Sequence, residues 1–184
     1  MPDGPLDFRH CTPAAANELR EVAINCYTPY YQDLWEPGGM EEYLSTVYEA
    51  VLLASELADP NLRFEIAYRG GEAVGFSKFH FRCDRAGTPN AAYLQRVYVA
   101  PSVTGTGVGR RLIERMIDSA RALGRDWIWL QAMADSIKPL ERYRELGFVE
   151  CEVTRLAMPK VRPGRNAMLV MRKDLRSNAG HTSA

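Results

Sequence analysis

The stretch "VYVAPSVTGTGVGRRL", residues 97–112, decides the fold, because it leads from an apolar strand through glycines into a helix. Apolar side chains recur at helical spacing after the glycines, up to Ala120. The first N–H groups of a helix have no partners within it and lie at the positive end of its dipole. Glycines let a ligand approach this backbone closely. The stretch therefore predicts a cradle for phosphate oxygens, to which Arg110 or Arg111 adds charge, although a flexible turn is the simpler alternative. The glycines are Gly105, Gly107 and Gly109.

Two well-known nucleotide motifs fit these glycines poorly. A P-loop requires Lys-Ser or Lys-Thr directly after its last glycine, and neither pair follows here. A dinucleotide fingerprint has the spacing G-x-G-x-x-G, whereas the third glycine of this chain comes one position early. Asp126 precedes the next strand, although the ribose-binding acid of that fingerprint should follow it. The hypothesis of a nucleotide-binding enzyme is therefore supported by the glycines alone.

The composition of the chain sets limits on its function. Among 184 residues, 23 are Lys or Arg and 23 are Asp or Glu, so no overall charge favours nucleic acid or an anionic membrane. No apolar run approaches the ~20 residues of a membrane span, and the N-terminus lacks a signal-peptide core. Four scattered cysteines and three histidines argue against a metal site. We expect a cytoplasmic protein with reduced thiols, and one domain over residues 6–175 with a disordered tail over residues 176–184.

The hydrophobic pattern predicts an α/β fold with the element order β-α-α-β-β-β-α-β-α-β-β. Thr12 and Pro13 start the first helix, which "TPYYQDLWEPGG" is expected to break. The segment "MEEYLSTVYEAVLLASELAD" reads as one second helix. Apolar and polar residues alternate on both sides of Gly70-Gly71, and this pattern predicts a β-hairpin.

Two segments carry a resemblance to a known family. The segment "VYVAPSVTGTGVGRRLIERMI" resembles the acetyl-CoA motif of the GCN5-related N-acetyltransferases (GNAT superfamily), a strand followed by [QR]-x-x-G-x-[GA]. The segment "WIWLQAMADSIKPLERYRELGF" resembles the second cofactor segment of that superfamily, which ends in a Tyr-x-x-Leu-Gly-Phe-like sequence. The motifs occur in the expected order. The resemblance implies a single mixed, mostly antiparallel central sheet flanked by helices, and acetyl-CoA as cosubstrate.

The resemblance also implies roles for individual residues. Strand residues 97–99 are expected to hydrogen-bond the pantetheine arm, and the N–H near Val97 to stabilise the oxyanion. Tyr143 is expected beside the sulfur as general acid. Alternatively, Tyr143 merely packs, with its hydroxyl on a backbone carbonyl. The implied cofactor-binding residues are Val97, Tyr98, Val99, Thr104, Gly105, Thr106, Gly107, Val108, Gly109, Arg110, Ser136 and Tyr143.

Three positions depart from the family pattern. Thr104 replaces the Gln or Arg that opens the first motif, and Ser136 replaces an asparagine that is frequent before the helix of the second cofactor segment. Ser136 is as well suited to bind the pantetheine arm as to cap that helix. Gln95 stands where many relatives carry a glutamate base, and an amide cannot accept the proton. The base therefore stays open between an ordered-water relay and carboxylates acting through water. These carboxylates are Glu41, Glu42 and Glu65.

The connection between the first two helices is rich in aromatic and acidic residues, which suit a cationic amine. Its candidate substrate-binding residues are Tyr30, Tyr31, Trp35 and Glu36. Alternatively, these aromatic side chains pack the connection onto the sheet. A diffuse similarity to the bacterial spermidine/spermine N-acetyltransferase branch suggests a polyamine acceptor.

The sequence thus predicts an N-acetyltransferase that transfers acetyl to a primary amine of a small molecule by direct attack in a ternary complex. We expect a monomer or homodimer that requires no metal, nucleic acid or membrane. The alternative is a catalytically silent acyl-CoA-binding regulatory module on the same fold, which the changes at Gln95 and Thr104 favour.

Overall fold

The computed structural model describes residues 4–176, so the predicted tail lies outside the described residues from position 177 onward. The chain forms one sheet in the order β1-β2-β3-β4-β5-β7-β6. Every neighbouring pair is antiparallel except β4 with β5. The predicted mixed, mostly antiparallel α/β sheet is confirmed. The strands are β1 (Leu6–His10), β2 (Leu62–Arg69), β3 (Glu72–His80), β4 (Ala91–Val99), β5 (Trp127–Met133), β6 (Val149–Arg155) and β7 (Ala167–Asp174).

Within residues 4–176, five α-helices cover the two faces of the sheet. The helices are α1 (Ala16–Tyr31), α2 (Gly39–Val47), α3 (Ala50–Ala58), α4 (Val108–Ala122) and α5 (Ile137–Glu145). One core cluster joins α1 and α3 to Phe64, Ile66 and Phe76 of the sheet. On the opposite face, the apolar stripe of α4 packs against Leu94 and Ile128. We call these the α1 face and the α4 face.

Two helix predictions were wrong. The expected break does not occur at "TPYY", because α1 continues through Pro29 to Tyr31. Pro29 lies in the last turn, where the loss of one backbone donor disturbs little of the helix. Tyr27 is 3% exposed and stacks on Tyr31 at 4.5 Å between ring centroids, so packing favours the added turn. The predicted second helix is two helices, separated at the fully buried Tyr48 and the extended Glu49.

The strands β4 and β5 separate halfway along their length. They pair only from Ala91 with Trp127 to Leu94 with Leu130. Gln95 lies at a bulge of β4, because Lys78 faces Arg96 across the ladder whereas Phe79 faces Leu94. Beyond this point, in the described part of the chain, β5 pairs only with β7. A gap therefore opens between residues 95–99 of β4 and residues 131–133 of β5.

Candidate active site

The backbone of β4 presents free hydrogen-bonding groups to this gap. The Ala100 N–H donates to the Val74 carbonyl oxygen at 2.8 Å, on the β3 side. Because successive residues of a strand direct their backbone groups to opposite edges, Tyr98 and Arg96 also pair with β3. The N–H and C=O groups of Val97 and Val99 therefore face the gap, where β5 gives them no ladder partner. An extended, peptide-like ligand could pair with this edge.

A glycine-containing loop joins the end of β4 to α4. Gly105 and Gly107 have φ angles of +81° and +88°, and Gly107 is the N-cap of α4. A Cβ built at either glycine meets no heavy atom within 4 Å, so open space lies in front of this backbone. The left-handed conformation and the open space both fit the close approach of a ligand.

The N–H groups of this loop are available to an anion. Within residues 4–176, Arg111 provides the first N–H of α4 that has a backbone partner, the Gly107 carbonyl oxygen at 3.0 Å. In the loop, the Thr106 N–H donates to the Val103 carbonyl oxygen at 3.2 Å, but the N–H groups of Gly105 and of residues 107–110 have no protein acceptor in that part of the chain, and they lie at the positive end of the α4 dipole. We call this group the cradle. Its N–H donors belong to Gly105, Gly107, Val108, Gly109 and Arg110.

Side chains around the cradle mostly bond to the protein itself. The Thr104 Oγ1 lies 2.7 Å from the Tyr30 hydroxyl, and the Thr106 hydroxyl donates to the Val103 carbonyl oxygen at 2.7 Å. The Arg110 Nε donates to Glu114 at 2.7 Å. The side-chain charge expected from Arg110 is therefore partly neutralised, and the positive character of the cradle comes mainly from its backbone.

Tyr143 reaches the gap from α5. Its partly exposed ring packs edge-on against Phe148 at 5.9 Å between ring centroids and belongs to the cluster that includes Val97 and Ala132. Within residues 4–176 no protein atom hydrogen-bonds its hydroxyl, so the alternative with this hydroxyl on a backbone carbonyl is wrong. Burial raises the pKa of the Tyr143 phenol, and Tyr31 and Tyr93 raise it further. The phenol is therefore protonated at neutral pH.

Ser136 precedes α5 on the same side of the gap. Its hydroxyl makes no capping hydrogen bond to α5, although its backbone N–H donates to the Met133 carbonyl oxygen at 3.0 Å. The capping alternative for Ser136 is therefore wrong, and the hydroxyl is free to contact a ligand.

The four predicted substrate-binding residues divide into two groups. Tyr30 is exposed beside the cradle, and the half-buried Tyr31 stands edge-on to Tyr98 at 5.8 Å between ring centroids. Trp35 is only 3% exposed and stacks on Tyr43 at 4.9 Å, so the prediction that it lines a cleft is wrong. Its indole is part of the core because the chain around it is anchored on both sides.

The loop between β6 and β7 anchors the chain around Trp35 and Glu36, a contact that the sequence analysis did not predict. The Glu36 N–H donates to the Lys160 carbonyl oxygen at 2.8 Å. The Arg162 Nε donates to the Trp35 carbonyl oxygen at 2.7 Å. Glu36 itself stays exposed, and Glu42 pairs with Lys160 at 2.8 Å.

Of the three candidate base carboxylates, Glu65 is excluded by its position. Its side chain is 3% exposed and faces α4, where Arg115 donates to it through Nε at 2.7 Å and Nη2 at 3.1 Å. A different pair, which the sequence reasoning missed, lies at the β4 bulge. The His80 Nε2 is 2.8 Å from Gln95 Oε1. Burial lowers the pKa of His80, as does the charge of Lys78, against the opposing effect of the Gln95 hydrogen bond.

Two further properties concern ions and membranes. Among residues 4–176, no three His, Cys, Asp or Glu side chains are grouped as a metal site would require. In the same part of the chain, no helix combines the length and the apolar character needed to cross a bilayer.

Comparisons with known proteins bear on this arrangement. The family model of the acetyltransferase (GNAT) family matches residues 19–148. An IAA acetyltransferase of Azospirillum brasilense is 32% identical over 115 residues, which cover 60% of this chain and 72% of the relative. A [ribosomal protein bS18]-alanine N-acetyltransferase of Escherichia coli K12 is 28% identical over 118 residues, or 64% of this chain and 74% of the relative.

The fold is shared with solved structures at low sequence identity. A PaiA N-acetyltransferase of Thermoplasma acidophilum, solved in complex with coenzyme A, superposes with a TM-score of 0.74 at 18% identity, covering 92% of this chain and 99% of that one. The family model itself covers well over half of the 184 residues, including the cradle and Tyr143. The chain therefore belongs to the acetyltransferase (GNAT) family, whose members are acetyl-CoA-dependent N-acetyltransferases.

Proposed function

We propose that this protein transfers an acetyl group from acetyl-CoA to a primary amine of a small molecule, by direct attack in a ternary complex. The observation that carries the proposal is the gap between β4 and β5, which has the cradle at one end and a protonated tyrosine at its side. One catalytic domain over residues 6–175 contains all of these parts.

The cosubstrate is proposed to lie along the gap. The cradle N–H groups would bind the pyrophosphate, because backbone donors at a helix N-terminus favour anions. The free edge of Val97 and Val99 would pair with the amide groups of pantetheine, and the unpaired Ser136 hydroxyl lies near that arm. The open space at Gly105 and Gly107 supports this placement.

The acetyl transfer then requires three contributions from the protein. As the amine nitrogen bonds to the carbonyl carbon, the Val97 N–H donates to the oxygen that gains negative charge. As the carbon–sulfur bond breaks, the Tyr143 hydroxyl donates to the departing thiolate. A thiol has an ordinary pKa of about 8.5 and a phenol about 10, so full proton transfer is uphill until the amine also loses its proton. The raised pKa of Tyr143 makes hydrogen-bond donation its main contribution.

We assign the amine proton to His80, reached through water. Its lowered pKa leaves the imidazole neutral at pH 7, and the Gln95 Oε1 requires the hydrogen on Nε2, so Nδ1 is the basic nitrogen. Gln95 thus positions a base at the place where many relatives carry one.

The acceptor is proposed to enter from the α1 face, beside Tyr30 and Tyr31. Glu36 is exposed on this side whereas Glu42 is already paired with Lys160, so the polyamine suggested by the sequence has one exposed carboxylate, that of Glu36, to bind its charges. The relatives named above act, by their names, on IAA and on a ribosomal protein alanine, so they leave the acceptor of this chain to experiment.

The test is release of free CoA thiol from acetyl-CoA with a panel of amines, compared with the same mixture without amine. Amine-dependent release, with the acetylated amine detected by mass spectrometry, is the expected result. Binding of acetyl-CoA without release by any amine would instead support the silent acyl-CoA-binding module.

A further inference from the structure

The α1 face of the gap contains an arginine that the proposed mechanism does not use. Arg96 directly precedes Val97 and lies on the same face as Tyr98. Its guanidinium stands 5.3 Å from the centroid of the Tyr48 ring, at the edge of an aromatic cluster. Ring centroids within this cluster are 4.5–6.4 Å apart. The cluster comprises Tyr27, Tyr31, Trp35, Tyr43, Tyr48 and Tyr98.

The Arg96 guanidinium lacks a counterion in the described part of the chain. Its Nη1 is buried without a hydrogen-bond partner, and within residues 4–176 no carboxylate pairs with it. The negative charge of Glu56 acts on Arg96 from a distance, but this carboxylate is bound to Lys78 at 2.5 Å. Lys78 faces Arg96 across the β3–β4 ladder, so two cations share one carboxylate here.

Such an arrangement is costly unless another anion joins it. A buried charge without a partner destabilises a protein, and buried polar groups are nearly always satisfied. The contact with the Tyr48 face offsets part of this cost but occupies none of the in-plane N–H donors of the guanidinium. Arginine is well suited to bind a carboxylate through two parallel hydrogen bonds.

From this charge balance we infer that the amine acceptor carries a carboxylate, which Arg96 binds while the partly exposed rings of the cluster, those of Tyr31, Tyr43 and Tyr98, contact the apolar part of the acceptor. The inference rests on the proposed acetyl transfer and specifies its substrate class. It predicts that amines without an acid group are poor acceptors, and that a polycation such as spermidine is disfavoured by the charges of Arg96 and Lys78.

The experiment uses matched acceptor pairs that differ only in the carboxylate, phenylalanine with phenethylamine and β-alanine with ethylamine, together with spermidine. The wild-type protein is expected to have a higher kcat/KM for at least one acid of a pair than for its decarboxylated partner. In Arg96→Gln this preference should fall by about 10- to 100-fold because the KM for the acid rises, as expected when a hydrogen-bonded charge is lost. Arg96→Lys, which retains the charge without the planar fork, should lie between the two.

Controls separate substrate recognition from folding. Arg20→Gln removes an exposed arginine on α1 and should leave the preference unchanged. Melting temperature and acetyl-CoA affinity show whether each variant is folded. Binding of the product N-acetylphenylalanine, compared with N-acetylphenethylamine in the presence of CoA, gives a readout that is independent of turnover.

The outcomes are distinct. A wild-type enzyme that acetylates other amines but prefers no acid within a pair overturns the inference without any variant, and so does a preference that survives in folded Arg96→Gln. Failure of every amine, including spermidine, to release CoA overturns the proposed function itself.

Discussion

The cradle can be tested with two substitutions at opposite ends of α4. Gly107 and Gly124 have φ angles of +88° and +64°, and a Cβ at either position meets nothing within 4 Å. An alanine costs about 1–2 kcal/mol of backbone strain at either site, or roughly 2–8 °C in Tm. Only the Cβ of Gly107→Ala would occupy the space in front of the free N–H groups.

The expected loss of cosubstrate affinity follows from the contacts that this Cβ would displace. A hydrogen bond to a charged group contributes about 1.5–3 kcal/mol, so the loss of two raises the Kd by about 10²- to 10⁴-fold. Titration calorimetry with acetyl-CoA and with CoA measures this change, and Gly124→Ala is the control. Equal affinity in the two folded variants would show that the phosphates do not bind at the cradle.

Three further predictions concern the chemistry and the fold. Tyr143→Phe should leave the acetyl-CoA Kd nearly unchanged while kcat falls by about 10²- to 10⁴-fold, and an unchanged chemical step in single-turnover kinetics would make Tyr143 structural. Burial holds the pKa of His80 below its ordinary value of 6.5, so the neutral imidazole persists at pH 7 and activity should fall as the pH drops through this lowered pKa. The ratio of His80→Gln kcat to wild-type kcat should therefore rise toward acid pH, and a constant ratio would exclude His80 as base. Glu65→Gln should lower the free energy of unfolding by about 1–3 kcal/mol through the lost Arg115 contacts, with kcat unaffected. A large loss of kcat at unchanged stability would return Glu65 to the list of bases.

The parts of the site that are local in sequence could be predicted. The glycines, the amphipathic stripe of α4 and the position of Tyr143 follow from spacing within one segment, because backbone conformation and helical periodicity depend on neighbouring residues. The helix boundaries near Pro29 and Tyr48 were not predictable in this way. There the burial of aromatic rings against the sheet decided where α1 continued and where α2 ended.

The remaining parts depend on pairing between distant strands. His80 meets Gln95, and Glu65 meets Arg115, through contacts over 15 and 50 residues that no local pattern reveals. The same holds for the loop between β6 and β7, whose Arg162 anchors the backbone at Trp35.

The bulge at Gln95 shows why strict strand alternation alone would assign the side chains of β4 to the wrong faces of the sheet. Strict alternation from Tyr93 would place Val97 on the face of Tyr93 and direct Tyr98 and its neighbour Arg96 toward α4. In the structure Val97 packs toward α4, and Tyr98 joins the aromatic cluster on the α1 face. One extra residue exchanges the two faces for the rest of β4. Without it, Arg96 would lie among the apolar residues of α4, so the bulge places both the proposed base pair of His80 and Gln95 and the arginine of the proposed acceptor site.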